Sequence, residues 1–468
     1  MSQPDMVAAS AAGQWPGRRA VVAWVLFDCA TQPFFSLVMT FVIPAYFATA
    51  VVGDGVRGQA LWGYATSVAG VLLALGAPVL GALADAGGRL KPWIALTSLP
   101  LVAGSAMLWF AAPGAPHAVA IALAGYVLGT LGAEFATVFN NAMLPSMVPP
   151  ERIGRLSGAG WAAGYAVGVA VVLACFALFI ASPETGRTLI GIRPLFGLDP
   201  ALHEGERLTG PLSAVWYLVV VAPLFLFVPE RRAPAGAVRG RAAAGLKRLA
   251  AALALLPREK AMARFLLAQM LYSDGLIALF ALGTLYGAGQ FGWGDTELGI
   301  FGLSLSVFAA LGAVAGGRLD DRFGPKPVIA GTLAVLIVAA FILVSVGRTH
   351  ILFVVAAAPP LPGQGLFASL PERVFMAVAI VIGLAVGPLQ SASRTLLVAL
   401  APPKEIAAFF GLYAFTGKLT SFAAPLAVAV VTSLTASQQA GFAAVPLFFA
   451  AGLWLMAGVP ARGNGGNA

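Results

Sequence analysis

The sequence predicts an all-α membrane protein: twelve transmembrane helices arranged as two pseudo-symmetric six-helix bundles. Three observations carry that prediction. The first is composition. Of 468 residues, 59% are hydrophobic and only 10% charged, where a soluble domain carries roughly 25% charge. The second is a series of apolar runs near the roughly 20 residues that cross a hydrocarbon core as a helix, the form that satisfies every backbone group within the segment. The third is repetition. The turn Gly81-Ala-Leu-Ala-Asp85-Ala-Gly-Gly-Arg89-Leu-Lys91-Pro92 returns as Gly317-Arg-Leu-Asp-Asp321-Arg-Phe-Gly324-Pro-Lys326-Pro327, with the acids 236 residues apart (Asp85 to Asp321). A charged, glycine-bearing turn repeated between membrane-length helices implies a duplicated bundle. A second echo agrees: Pro149-Pro150-Glu151 leads to Gly158 as Pro402-Pro403-Lys404 leads to Gly411. On that register Asn141 pairs with Arg394, and Tyr165 with Lys418.

In order, the apolar runs cover 21–50, 59–84, 92–112, 118–147, 156–181 and 211–229, then 264–289, 295–319, 327–346, 372–400, 405–432 and 437–459. The expected division is a tail over 1–20, a six-helix bundle over 21–229, a basic linker over 230–263, a second bundle over 264–459 and a tail over 460–468. Ile351–Ala358 is apolar but too short to span, so it is placed in an outer loop or lying at the interface. The mixed-charge stretch Ser182–Gly210 is expected to cover the outer opening. Arginine and lysine concentrate in the loops at 85–91, 148–155, 230–263 and 320–326, and the opposite loops hold few bases. The positive-inside rule then puts both termini in the cytoplasm. Within the linker, Leu246–Leu256 reads either as a basic amphipathic helix on the membrane surface or as a solvated connector.

Several classes are excluded. The formal charge of +9 lies in alternate loops rather than in one patch, so nucleic acid is not an expected partner. Cys29 and Cys175 fall in apolar runs and read as free buried thiols. His117, His203 and His350 have no ligand spacing, and neither a metal nor any cofactor is expected. The pattern G-x-x-x-x-G-K-[ST] is absent, and no nucleophile–base pair marks an enzyme. Arg18-Arg19 leads into a long helix without a processing site, so no cleaved signal is expected.

Chemistry concentrates in ionisable residues within the spans, each costing about 2.5–3.5 kcal/mol at a helix centre. They are Asp28, Glu134, Asp274, Arg394 and Lys418. Asp28 and Asp274 occupy the first helix of each half and are expected to face a shared cavity, at least one of them taking up a proton. Asn140, Asn141, Trp161, Tyr165, Tyr272 and Gln390 are candidates to line it, the tryptophan and tyrosines being equally candidates for interface anchors. One reading is a substrate and proton pathway; the other is a set of ion pairs that fix packing. Trp161 and Tyr165, four apart, share a helix face with Ser157 and Gly164 or Gly168, suited to a cavity or to a close helix contact. Asp85, Arg89, Asp321 and Arg322 are candidates for a cytoplasmic gate, in which a turn acid binds the N-terminal end of a neighbouring helix in one state and releases it in another. Charge that only fixes topology is the alternative.

The repeated turn resembles the G-x-L-A-D-x-x-G-R-K loop of the major facilitator superfamily. Further segments resemble its vacuolar-effluxer-like branch: Trp24-Val-Leu-Phe-Asp28-Cys-Ala30, Phe139-Asn-Asn141-Ala-Met-Leu-Pro145, Ser157-Gly-Ala-Gly-Trp161-Ala-Ala-Gly-Tyr165, Tyr272-Ser-Asp274-Gly275, Gln390-Ser-Ala-Ser-Arg394, and Phe409-Phe-Gly-Leu-Tyr413 followed by Gly417-Lys418. Phe27, Cys29 and Pro33 depart from the family pattern around Asp28. The resemblance implies transport without fixing a substrate, with amino-acid efflux carried over by analogy. With no nucleotide-binding motif, the expected function is a secondary transporter working by alternating access on a small polar solute, driven by an ion gradient, of protons first, or by the solute's own gradient. Arg394 and Lys418 favour a carboxylate-bearing solute. A monomer in a bacterial inner membrane is expected. The alternative is a non-transporting assembly factor or receptor that keeps the fold.

Overall fold

The computed structural model describes residues 15–182, 185–230, 259–358 and 365–460. The linker residues 231–258, with the Leu246–Leu256 segment, lie outside the described residues, as do the outermost parts of both tails. Among the described residues, twelve helices are long and apolar enough to cross a membrane: α1 Arg18–Val51, α2 Arg57–Gly87, α3 Lys91–Phe110, α4 Ala118–Ser146, α5 Pro150–Leu178, α6 Glu204–Phe227, α7 Lys260–Phe280, α8 Thr296–Phe323, α9 Pro325–Ser345, α10 Leu370–Leu400, α11 Ile406–Thr435 and α12 Gln438–Ala457. The segment expected as an outer loop near 351–358 folds in part into a two-residue antiparallel hairpin, β1 His350–Ile351 with β2 Val355–Ala356.

The chain forms two compact units. The first takes the described residues of Met1–Pro149, Ala163–Leu249 and Pro403–Ala414, the second those of Pro150–Ala162, Ala250–Pro402 and Phe415–Ala468. Each unit thus carries a short segment from the other half of the sequence: the start of α5 in the second, the start of α11 in the first.

Prolines shape the first unit. In α1 an α-helical stretch ends at Pro33, and Phe34–Phe41 and Phe47–Val51 are π-helical. Proline has no N–H, so Pro33 withdraws the α-helical donor from the Cys29 carbonyl. The indole Nε1 of Trp216, on α6, donates to that oxygen at 2.9 Å. On α4, the turn before Pro145 tightens, with the Leu144 N–H donating to Asn141 O. The Asn140 carbonyl, which would have received that N–H in an α-helix, accepts instead from Trp24 Nε1 at 2.8 Å. Two tryptophans therefore repair carbonyls that a regular helix would have satisfied, as a hydrocarbon environment demands.

Small residues let backbones touch. A Cβ on Gly81 of α2 would lie 2.3 Å from the Ala407 carbonyl of α11, and one on Gly411 of α11 would lie 2.3 Å from the Ala77 carbonyl of α2. In the second unit, a Cβ on Gly158 of α5 would lie 2.4 Å from the Ala313 carbonyl of α8. Gly164 and Gly168 of α5, in the first unit, pack on Asp28, Gln32 and Ser36 of α1. The small-residue face of α5 is a close helix contact, as membrane helices use glycine. Helix α11, read from sequence as one continuous run, breaks after Leu419 and restarts at Ala423. There Ser421 N–H donates to Lys418 O and Ala423 N–H to Thr420 O, three residues back rather than four. Pro425 denies the Ser421 carbonyl its helical donor as well.

Candidate functional site

The repeated turns are built alike. Asp85 lies in the last turn of α2, and its two carboxylate oxygens accept from the N–H groups of Ala407, at 3.2 Å, and Ala408, at 2.8 Å. These are first-turn donors of α11, groups with no partner inside their own helix and with the positive end of its dipole behind them. The Gly81 and Gly411 contacts allow α2 and α11 to approach closely enough for this. Arg89 does not join Asp85: its guanidinium pairs with Glu230 at 2.9 Å. Glu230 also accepts from the Lys91 N–H at 3.2 Å, and Lys91 Nζ donates to the Phe225 carbonyl at the end of α6.

In the second unit Asp321 accepts from the Arg155 N–H at 3.1 Å, in the first turns of α5, and pairs with Arg155 Nε at 2.7 Å. Gly154 leaves room for this, since a Cβ there would lie 2.7 Å from Asp321 Oδ1. Arg322 is not the partner; its guanidinium sits 5.1 Å over the Phe323 ring. Lys326 Nζ donates to the Ala457 carbonyl of α12 at 3.2 Å, as Lys91 does to α6. Each repeat therefore has an acid on the start of one helix and a lysine on the end of another, both charges matching helix dipoles. Arg155, Glu230 and Asp320 were missed in the sequence reading. Glu230 stood out as the lone acid before a basic run, and Asp320 as a mismatch with Ala84 between otherwise similar turns.

Deeper in the first unit are Asp28, Glu134, Asn141 and Tyr165, all half-buried. The α1–α5 glycine contact brings Asp28 against Gly164, next in sequence to Tyr165: a Cβ on Gly164 would lie 3.7 Å from Asp28 Cβ. Asn140 is fully buried, with neither side-chain polar atom in a hydrogen bond among the described residues.

In the second unit, Arg394 on α10 is 4% exposed, so it does not reach out to the interface. Its guanidinium lies 5.3 Å over the Trp161 ring of α5, a cation–π arrangement. Beside it, Ser393 Oγ and Tyr272 OH of α7 are 2.7 Å apart, and Ser157 of α5 donates to the Ser391 carbonyl at 2.9 Å. Gln390 is half-buried one position before Ser391. On the α7–α11 side, Thr416 donates to Gln269 at 2.7 Å. Asp274 is 0% exposed, and among the described residues neither carboxylate oxygen makes a well-formed hydrogen bond. The hydroxyl beside it belongs to Thr420, at the break in α11. Lys418 lies in the turn before that break. The structure thus joins Trp161 with Arg394, and Tyr272 with the α10 segment that carries Arg394. Among the described residues, no group of three or more His, Cys, Asp and Glu is arranged to hold a metal.

Residues 50–465 match the family described as vacuole effluxer Atg22-like. An uncharacterized MFS-type transporter of Bacillus subtilis, YxiO, is 25% identical over 449 residues, covering 94% of each chain. Autophagy-related protein 22 of Cryptococcus neoformans is 27% identical over 299 residues, 62% of this chain and 47% of that protein. Among solved structures, the human organic anion transporter MFSD10 aligns with a TM-score of 0.66 at 16% identity, over 95% of this chain and all of that one. The Escherichia coli fucose:proton symporter FucP aligns with a TM-score of 0.62 at 14% identity, over 94% and 97%. At such identities the likeness establishes the fold, that of the major facilitator superfamily.

Proposed function

Because the chain belongs to the Atg22-like vacuole effluxer family and is a multi-pass membrane protein of the major facilitator fold, we propose that it is a proton-coupled secondary transporter of a small carboxylate-bearing solute, an amino acid or a similar compound. The observation that carries this reading is the duplicated gate. A turn acid of each repeat holds the first turn of a distant helix, Asp85 on α11 and Asp321 on α5. Such contacts are made and broken as units rather than deformed gradually, which suits alternating access by rocking repeats. On this reading the gate turns and both termini face the cytoplasm, with the protein a monomer in the inner membrane. The six-helix repeats are its moving parts, and the linker is a connector.

One buried and one half-buried cation support the choice of an anionic solute. Arg394 stacked on Trp161, and Lys418 beside the α11 break, hold positive charge within the spans, and a guanidinium binds a carboxylate through two parallel hydrogen bonds. Asp28, Glu134 and Asp274 supply acids that take up and release protons. Asn141, Tyr165, Tyr272 and Gln390 offer uncharged polar groups to the rest of the solute. The effluxer relatives favour export.

The test is counterflow in proteoliposomes loaded with amino acids, short peptides or sugar acids. At least one carboxylate-bearing solute is expected to exchange, with exchange lost in Arg394→Gln. Exchange of neutral sugars alone would overturn the solute class, and no exchange of any solute by well-inserted protein would overturn transport itself.

A further inference from the structure

Asp320 precedes the gate acid Asp321 and has no counterpart in the first repeat, where the same place is held by the buried Ala84. It is only 4% exposed. It also packs against the docked start of α5: a Cβ on Gly154 would lie 2.8 Å from Asp320 Cβ and 2.9 Å from its Cγ. A carboxylate buried where a methyl group suffices in the sister turn calls for an explanation, because burying an unpaired charge is costly.

Its hydrogen bonding supplies one. Thr395 Oγ1 of α10 lies 2.5 Å from Asp320 Oδ2 and 2.9 Å from the Ala392 carbonyl. A hydroxyl has one proton to donate. With Asp320 ionised, the carboxylate and the Ala392 carbonyl compete for it. With a proton on Oδ2, Asp320 donates to Thr395 Oγ1, Thr395 donates to Ala392, and both contacts are satisfied.

The surrounding charges point the same way. Asp321 is the nearest acid. Arg155 of α5 is engaged by Asp321, with its side chain 67% exposed. On α10 the neighbouring Arg394 is stacked on Trp161, and Arg322 is turned to Phe323. The Arg155 guanidinium is thus bound to Asp321 rather than to Asp320.

We propose that Asp320 is a proton-binding site of the second gate, protonated while the start of α5 is docked on α8 and ionised when it is released. The proton comes from the aqueous phase at the gate and returns to it. Docking of α5 then binds a proton, and a rise in pH favours release. This site is distinct from Asp28, Glu134 and Asp274. It rests on the gate reading, because a docked and a released state must both exist.

The experiment uses the full chain in nanodiscs, with Cys29 and Cys175 replaced by Ala and spin labels at Arg152→Cys and Phe323→Cys. Distance distributions are recorded from pH 5 to 9. The native residue is expected to give a docked fraction that falls as pH rises, by up to tenfold in the docked-to-released ratio per pH unit. Asp320→Asn, which keeps a donor for Thr395, is expected to stay docked with a flat profile. Asp320→Ala, which copies the first repeat, is expected to be flat as well. A pH slope that survives in either variant, or a flat native profile, overturns the proposal. Asp321→Asn separates the two readings: if it leaves the docked fraction unchanged the gate reading fails, whereas a native slope abolished by Asp320→Asn would still establish the proton site.

Discussion

Replacing Asp85 tests the proposed gate of the first repeat quantitatively. Its carboxylate takes two first-turn N–H groups of α11, at 3.2 and 2.8 Å. Losing a helix cap costs about 0.5–2 kcal/mol, and losing a carboxylate at a partly buried helix start removes a further 0.3 to about 2 kcal/mol. Taken together, Asp85→Ala should disfavour the docked α11 start by about 2–3 kcal/mol, a shift of about 30–150-fold in the docked-to-released ratio. Asp85→Asn keeps an accepting oxygen and loses the charge, so its cost should be about 1 kcal/mol, or about fivefold. The readout is alkylation of Ala408→Cys, a position buried against Ala82, with the buried Cys29 and Cys175 replaced. Where reclosing outpaces alkylation, the rate follows the released fraction. Rates ordered native, Asn, Ala in those ratios are expected. Alkylation of Asp85→Ala within twofold of native would refute the capping argument.

Three further outcomes follow from the packing. Gly81→Ala places a Cβ against the Ala407 carbonyl, which cannot yield without moving α11; about 1–3 kcal/mol of overpacking should raise alkylation of Ala408→Cys even with Asp85 intact. Trp216→Phe leaves the Cys29 carbonyl without its donor and should lower thermal stability by about 1–3 kcal/mol, measured as an apparent melting temperature in detergent, while Pro33→Ala should recover part of the loss by returning an N–H to α1. Asp274→Asn replaces a buried carboxyl group that lacks well-formed hydrogen bonds and removes the cost of ionising it there, so the apparent melting temperature should rise while proton-driven accumulation is lost; a fall in melting temperature with accumulation intact would count against a functional role.

Much of the architecture was legible because its causes are local. Membrane transfer free energy is a property of about 20 residues at a time, so all twelve spans could be read from hydropathy. The duplicated turn was visible because both copies need the same glycines, acid and lysine. What stayed hidden depends on partners far along the chain. Arg89 finds Glu230 141 positions away, and Asp321 finds Arg155 166 positions away, and nothing local in the turn distinguishes those partners from Asp85 or Arg322. Helix α11 read as continuous because its break leaves hydropathy unchanged. Pro425 was the signal, but membrane helices tolerate proline, so proline alone does not locate a break. Asp274 was legible as an ionisable residue in a span, but its want of well-formed hydrogen bonds was not, since that is a statement about every neighbour at once.

The π-helical stretches of α1 change how its two ends relate. An α-helix turns about 100° per residue, whereas a π turn closes with one residue more, so side chains beyond Phe34 fall progressively out of phase with those before Pro33. The half that carries Asp28 and the half that begins at Phe34 therefore keep separate angular settings along one rod. A solvent-accessibility scan along α1 should show a 3.6-residue rhythm up to Pro33 and then a slip in phase, and any heptad or helical-wheel drawing carried through that proline assigns the wrong face to every residue after it.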